Sequence, residues 1–165
     1  MKNNRDYFIV EFILENQSFY TIWYNDKLDG FLTFQNKSFR NKIMTFYNQN
    51  SLLQYLTRNQ MKLATHRVTV INCDMVQLYK TNFDCNLLLD FWNIITDVAC
   101  SIKVDFLGDH REDSITNIYN KLFYGCNLPA LRGNGELYFP EWSVSEIAIL
   151  HEIVSNGLMI LQKAF

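Results

Sequence analysis

The chain has 165 residues, 48% of them apolar and 19% charged, with a formal net charge of −2. That length suits one domain, and that balance excludes disordered and collagen-like architectures. A dedicated nucleic-acid binder would carry a basic excess, which is absent here.

Gly and Pro together number only 8, so few stretches are punctuated and most of the chain should be helix or strand. Tyr7 to Glu15 is apolar and aromatic and reads as a strand. Gln17-Ser18 offers a turn, and Phe19 to Tyr24 a second strand. The run from Asn25 to Gly30 contains Asp29-Gly30, a hairpin signal. Phe31 to Phe34 makes a third strand. Asn41 to Tyr47 fits both a helical and a strand template, and the strand is preferred because Asn50 or Ser51 can then cap a helix over Leu52 to Gln60. Arg67 to Ile71 reads as another strand, and Asp74 to Lys80 as a short helix.

The second part is helical. Asp84 can cap a helix from Cys85 to about Lys103. Its polar residues Asp90, Asn93, Asp97 and Ser101 step by 3, 4 and 4, which makes one narrow solvated stripe on an otherwise buried helix. Asp113 or Ser114 opens the next helix, whose Ile115, Ile118, Tyr119, Leu122 and Phe123 share a face, with Gly125 placed to end it. Cys126 to Trp142 is irregular and holds both prolines. Ser143 to Glu146 is a capping box. The helix that follows, to about Gln162, is apolar round most of its circumference and should lie centrally among the helices. These elements predict a single α+β domain over residues 1–165. Its strand-rich part, 1–80, should be a mainly antiparallel β-sheet, and its helical part, 81–165, should form a layer on or beside that sheet.

Motifs for chemistry are few. His151-Glu152-Ile153-Val154-Ser155 resembles the start of a zinc-protease helix, yet Ser155 stands where the second histidine belongs. The cysteines, Cys73, Cys85, Cys100 and Cys126, are spaced by 12, 15 and 26 residues. That spacing does not fit a compact zinc site, and free thiols are expected. The turn Gly133-Asn134-Gly135 lacks the rest of a dinucleotide fingerprint, and no phosphate-binding or nucleophile-elbow loop is present. No catalytic residue, metal or cofactor is therefore expected. An enzyme would need residues dispersed in sequence, for instance a deep pocket joining His66, His110 or His151 to carboxylates. Glu11 interrupts the first apolar run and spoils a signal-peptide core. The longest uninterrupted apolar run is far below the ~18 residues of a membrane helix. The expectation is a soluble, cytoplasmic protein.

The net charge divides unevenly. Met1 to Lys80 carries +4 and Thr81 to Phe165 carries −6. Four of the acids, Asp105, Asp109, Glu112 and Asp113, fall between two helices. Glu136 and Glu141 follow in the irregular stretch beside Tyr138, Phe139 and Trp142. Exposed acids interleaved with aromatics suit a protein that binds a basic protein partner, with carboxylates steering the encounter and aromatics anchoring it. Asp105, Asp109, Glu112, Asp113, Glu136 and Glu141 are the candidate charge contacts, and Tyr138 and Trp142 the candidate anchors. A second possibility uses the basic N-terminal half, where Tyr20, Trp23, Tyr24, Phe31 and Phe34 could stack nucleic-acid bases. A sheet core is the plainer reading of those aromatics.

Three segments of the C-terminal half carry a family resemblance. The run Asp84-Cys85-Asn86-Leu87-Leu88-Leu89-Asp90-Phe91-Trp92-Asn93-Ile94-Ile95-Thr96-Asp97 resembles a recurring helix of immunity proteins from bacterial contact-dependent growth inhibition and related polymorphic toxin systems. So does Tyr119 to Pro129, and Tyr138-Phe139-Pro140-Glu141-Trp142-Ser143 with its following helix is similar. The resemblance covers roughly residues 84–165 and carries no catalytic meaning. It implies a small cytoplasmic protein that binds one-to-one to the C-terminal toxin domain of a secreted effector and neutralises it. Such toxins are often nucleases, including EndoU-like ribonucleases.

Overall fold

The computed structural model describes residues 5–35, 38, 41–76, 83–131 and 135–165. Two nine-residue strands form the centre of the N-terminal part. β1 (Asp6–Leu14) pairs with β2 (Gln17–Asn25) antiparallel along its full length. The connecting turn is Glu15-Asn16, two residues earlier than expected. Both have positive φ, 53° and 59°, as a two-residue type I′ hairpin demands. Neither residue is glycine, so the turn needs outside support. Asp74 provides it: its two carboxylate oxygens accept the Glu15 and Asn16 N–H groups, each at 2.8 Å.

The third expected strand is divided in two. β3 (Gly30–Phe31) pairs with β2, whereas β4 (Thr33–Gln35) leaves that sheet and pairs with β5 (Asn41–Ile43). β6 (Thr45–Phe46) returns to β2, so the ambiguous run from Asn41 to Tyr47 is strand. β7 (Leu63–Asn72) extends well beyond Arg67 to Ile71 and pairs parallel with β1. The order β3-β2-β1-β7 is thus antiparallel except for its last pair. From Leu63 to Val68, β7 advances five residues while β1 advances only from Tyr7 to Ile9, which bulges Ala64 to Arg67 outward.

α1 (Gln49–Arg58) starts earlier than Leu52, because Asn48 is its cap and accepts the Ser51 N–H at 2.9 Å. Of the expected helix from Asp74 to Lys80, a single 3-10 turn, Cys73–Met75, is seen; residues 77–80 lie outside the described residues. α2 (Cys85–Ile102) is capped by Asp84, whose side chain accepts the Leu87 N–H. α3 (Asp113–Gly125) and α4 (Val144–Ala164) complete the layer, and the capping box of Ser143 and Glu146 forms in both directions. Gly125 does not end α3 through a left-handed conformation. The left-handed residue is Asn127, at φ 51°. Gly125 instead lets α3 touch α2, because a Cβ there would fall 2.5 Å from the Cys85 sulfur.

The pleat divides the sheet's side chains between two cores. Tyr7, Ile9 and Ile22 face α1 and pack on Leu52 and Leu56. Val10, Phe12, Leu14 and Phe31 face the C-terminal helices and join Phe91, Trp92, Ile95, Leu122 and Leu161. α2, not α4, is the central helix. It packs against α3, α4 and the sheet, with nine buried side chains. α2 and α4 are long and apolar enough to cross a membrane by length and composition. In this fold both supply core: Phe91 and Ile95 of α2 and Leu150 and Leu161 of α4 are fully buried. α4 crosses α2 at Gly157, where a Cβ would meet the Phe91 ring at 2.9 Å. The result is an α+β domain with an N-terminal, mainly antiparallel sheet and a C-terminal helical layer.

The stripe on α2 is only half solvated. Asp90 and Asn93 are exposed, but Asp97 and Ser101 are half-buried against the sheet. The Trp23 indole N–H donates to Asp97 Oδ2 at 2.8 Å, and the Phe31 N–H donates to Ser101 Oγ at 2.8 Å. These polar contacts fix the angle between helix and sheet.

Candidate functional site

The acidic loop is positioned by what it buries. After α2, Lys103 takes a left-handed conformation (φ 60°) and its N–H turns back to the last carbonyls of the helix. Phe106 then enters the core, 1% exposed, with its ring edge-on to Trp92. The Leu107 N–H donates to Asn156 Oδ1 of α4 at 2.9 Å, opening a 3-10 turn, Leu107–Asp109. With Phe106 as the plug, Asp105, Asp109, Glu112 and Asp113 are all left exposed. Asp109 Oδ1 accepts the Thr96 hydroxyl at 2.6 Å, and Asp105 Oδ2 lies 2.8 Å from His110 Nε2. Glu112 precedes α3 without a side-chain capping bond, and Asp113 opens the helix, where its charge favours the macrodipole.

Two titrating groups report the sign of the local field. The His110 imidazole is held above its ordinary value, first by the hydrogen bond to Asp105, with Glu112 and Asp109 adding to it. The Asp97 carboxyl is pushed up chiefly by burial, against the opposing Trp23 hydrogen bond. Asp29 and Asp109 push it further as like charges. Asp97 therefore lies within electrostatic reach of Asp109 in the loop and of Asp29 in the turn between β2 and β3, and both Asp97 and Asp29 are half-buried. Neither belongs to the six acids expected from sequence. Only the pairing of β2 with α2, across 74 residues, brings them near.

Glu136, Tyr138, Glu141 and Trp142 lie elsewhere. Asn127 clamps this stretch at the end of α3: its amide N–H donates to the Tyr138 carbonyl at 2.9 Å, and its oxygen accepts the Tyr138 N–H at 2.7 Å. Glu112 and Asp113 sit at the start of α3, whereas Tyr138 and Trp142 sit by its last turns. A 13-residue helix is about 20 Å long. The eight candidates therefore form two groups at the two ends of α3, not one cluster.

The two candidate anchors also differ. Tyr138 is 42% exposed, edge-on to Tyr124. Trp142 is half-buried, its ring against Phe83 on one side and near the Lys121 ammonium on the other. Lys121 also donates to the Glu141 carbonyl at 2.8 Å and pairs with Glu146 at 2.6 Å. That pairing, with the Ser143 hydrogen bonds, holds the Glu146 carboxyl below its usual range. Trp142 is thus a support for the stretch. The exposed apolar groups beside Tyr138 are Tyr124, Leu137 and Phe139, the last 74% exposed. The extended segment from Leu137 to Phe139, next to two acids, is the sequence signal that could have found them.

The other candidates separate readily. His66 is exposed on the β7 bulge. His151 borders a depression of about 350 Å3 with Glu15, Cys73, Asp74 and Gln162. There Asp74 holds the hairpin turn, and burial pushes the Cys73 thiol up to about 12, which makes it a poor nucleophile. Among the described residues no group of three or more His, Cys, Asp or Glu is arranged to hold a metal. Of the N-terminal aromatics, Phe31 is buried, Tyr20, Trp23 and Tyr24 pack against the two cores, and Phe34 is exposed. No protein-family model, no curated protein and no solved structure matches this chain.

Proposed function

We propose that the chain is an immunity protein, which binds the toxin domain of a bacterial effector in the cytoplasm and neutralises it by non-covalent, one-to-one occlusion. The observation that carries this reading is the exposed acidic loop from Asp105 to Asp113, pinned by the buried Phe106. A nuclease presents basic residues where it holds phosphates. A fixed negative surface steers such a partner and raises its association rate, which matters when a toxin must be caught before it acts. Because the loop is tied to α2 and α4 by the Thr96 and Asn156 hydrogen bonds, little ordering entropy is left to spend on binding. Tyr138 and its neighbours at the other end of α3 supply apolar contact area, with Glu136 and Glu141 beside them. The protein itself performs no chemistry in this reading.

The test starts from the gene neighbourhood: a large secreted effector encoded immediately upstream is expected, and its C-terminal domain is co-expressed with this chain. The absence of such a neighbour would count against the reading. A 1:1 complex on size-exclusion chromatography, and survival of cells that otherwise die, is the expected result. Failure to form a complex or to protect would refute the reading.

A further inference from the structure

The acidic loop, α2 and α3 enclose a cleft of about 300 Å3. Trp92, Asn93 and Thr96 line it from α2, Gly108, Asp109 and His110 from the loop, and Ile115, Thr116 and Tyr119 from α3. The aromatic surface it offers is the half-buried Tyr119 ring; Trp92 and Ile115, each 3% exposed, are packed beneath it and Gly108. Tyr119 stands edge-on to Trp92, ring centres 5.4 Å apart, and its hydroxyl donates to Asn93 Oδ1 at 3.0 Å. The loop can lie on the Trp92 ring only because residue 108 is glycine: a Cβ there would fall 2.8 Å from the indole and closer still to Phe106. Thr96 holds Asp109 through Oδ1 at 2.6 Å, and the Asp109 side chain is exposed at the rim. The nine residues from Asp105 to Asp113 bring four carboxylates against a single arginine, Arg111.

An aromatic surface with an exposed carboxylate at the rim suits a flat, weakly hydrated cation. Guanidinium lies on apolar and aromatic surface and keeps its in-plane N–H groups for the carboxylate, whereas ammonium holds its water more tightly. We propose that this cleft receives one arginine side chain presented by a protein partner, with the Asp109 carboxylate as its acceptor. The proposal rests on the toxin-binding reading for the identity of that partner, but not for the existence of the cleft.

The experiment titrates the full chain with the capped tripeptide amide Ac-Gly-Arg-Gly-NH2, following the Gly108 amide and the Trp92 indole N–H by NMR. Saturable shifts at both positions are expected, with a Kd on the order of millimolar for so small a ligand. The lysine tripeptide should bind more weakly. Asp109→Asn keeps the Thr96 contact and should weaken arginine binding about fivefold. Shifts that do not saturate, equal affinity for lysine, or full binding by Asp109→Asn would overturn the proposal. If the peptide binds but the upstream toxin domain is not captured, the cleft stands and the immunity reading falls. Capture of the toxin without peptide binding means the reverse.

Discussion

The sheet half and the helical half use their charged groups differently. In the sheet half, Phe12 and Phe31 meet in the core with ring centres 5.6 Å apart and Trp23 reaches Asp97, while at the surface Asp26 is paired with Arg5 at 2.7 Å and Leu28, Phe34 and Tyr47 are left exposed. In the helical half, Phe106 and Trp142 are spent as supports, and the acids and Phe139 are left facing solvent. Solvated acids on a rigid frame contribute little to stability and much to the local field. The loop from Asp105 to Asp113 is therefore where the fold gathers exposed negative charge.

The comparison breaks hardest at Phe12. Phe12→Ala should cost about 3–5 kcal/mol, because it removes a fully buried ring that meets Phe31 and Phe165. Urea denaturation would show it, and a loss below 1 kcal/mol would mean the two layers are not held together there. Asp74→Ala should cost about 1–2 kcal/mol, because it strips both acceptors from a turn built on two left-handed residues. Faster hydrogen exchange at the Glu15 and Asn16 amides would locate the damage.

Asp97→Asn sharpens the boundary between the halves. Burial and like charges raise the folded carboxyl's affinity for its proton above that of the unfolded chain, so the folded state binds more protons. Stability from this group is therefore highest below the unfolded pKa and falls as pH rises through the raised folded value. The Asn variant should lose that decline and gain no more than about 1 kcal/mol at neutral pH. Denaturation curves from pH 3 to pH 7 would show it, and an unchanged slope would contradict it. Smallest is Asp105→Asn, which should return the His110 imidazole toward its ordinary value by removing its strongest partner. An NMR titration of the ring reads this directly.

Local patterns foretold the elements whose signals are local. The apolar, aromatic run that begins at Tyr7, the cap at Asp84 and the box of Ser143 and Glu146 are all written within a few residues. What was not legible depends on distant partners. The Glu15-Asn16 turn was misplaced because its support, Asp74, comes 59 residues later. The α2 stripe was read as solvated because Trp23 and Phe31, which cover half of it, lie in another element. α3 does end at Gly125, but what the glycine supplies there, the close approach to Cys85, depends on another helix. At the candidate site the acids were visible as composition. Their division between the two ends of α3, and the proximity of Asp97 to Asp109 and Asp29, required the packing of α2 against α3 and the sheet.

The central claim is that the exposed acidic loop captures a basic partner, and an association rate tests it most directly. Stopped-flow mixing of the toxin domain with wild type, with Asp109→Lys/Glu112→Lys and with the charge-matched control Asp6→Lys/Glu152→Lys, two exposed acids outside the loop, would separate the loop from net charge. The double reversal should slow association about tenfold or more at low salt, with a stability loss of about 1 kcal/mol from the Thr96–Asp109 hydrogen bond it removes. The control should associate within about twofold of wild type. An unchanged rate for the double reversal, with full protection of cells, would place the interface elsewhere.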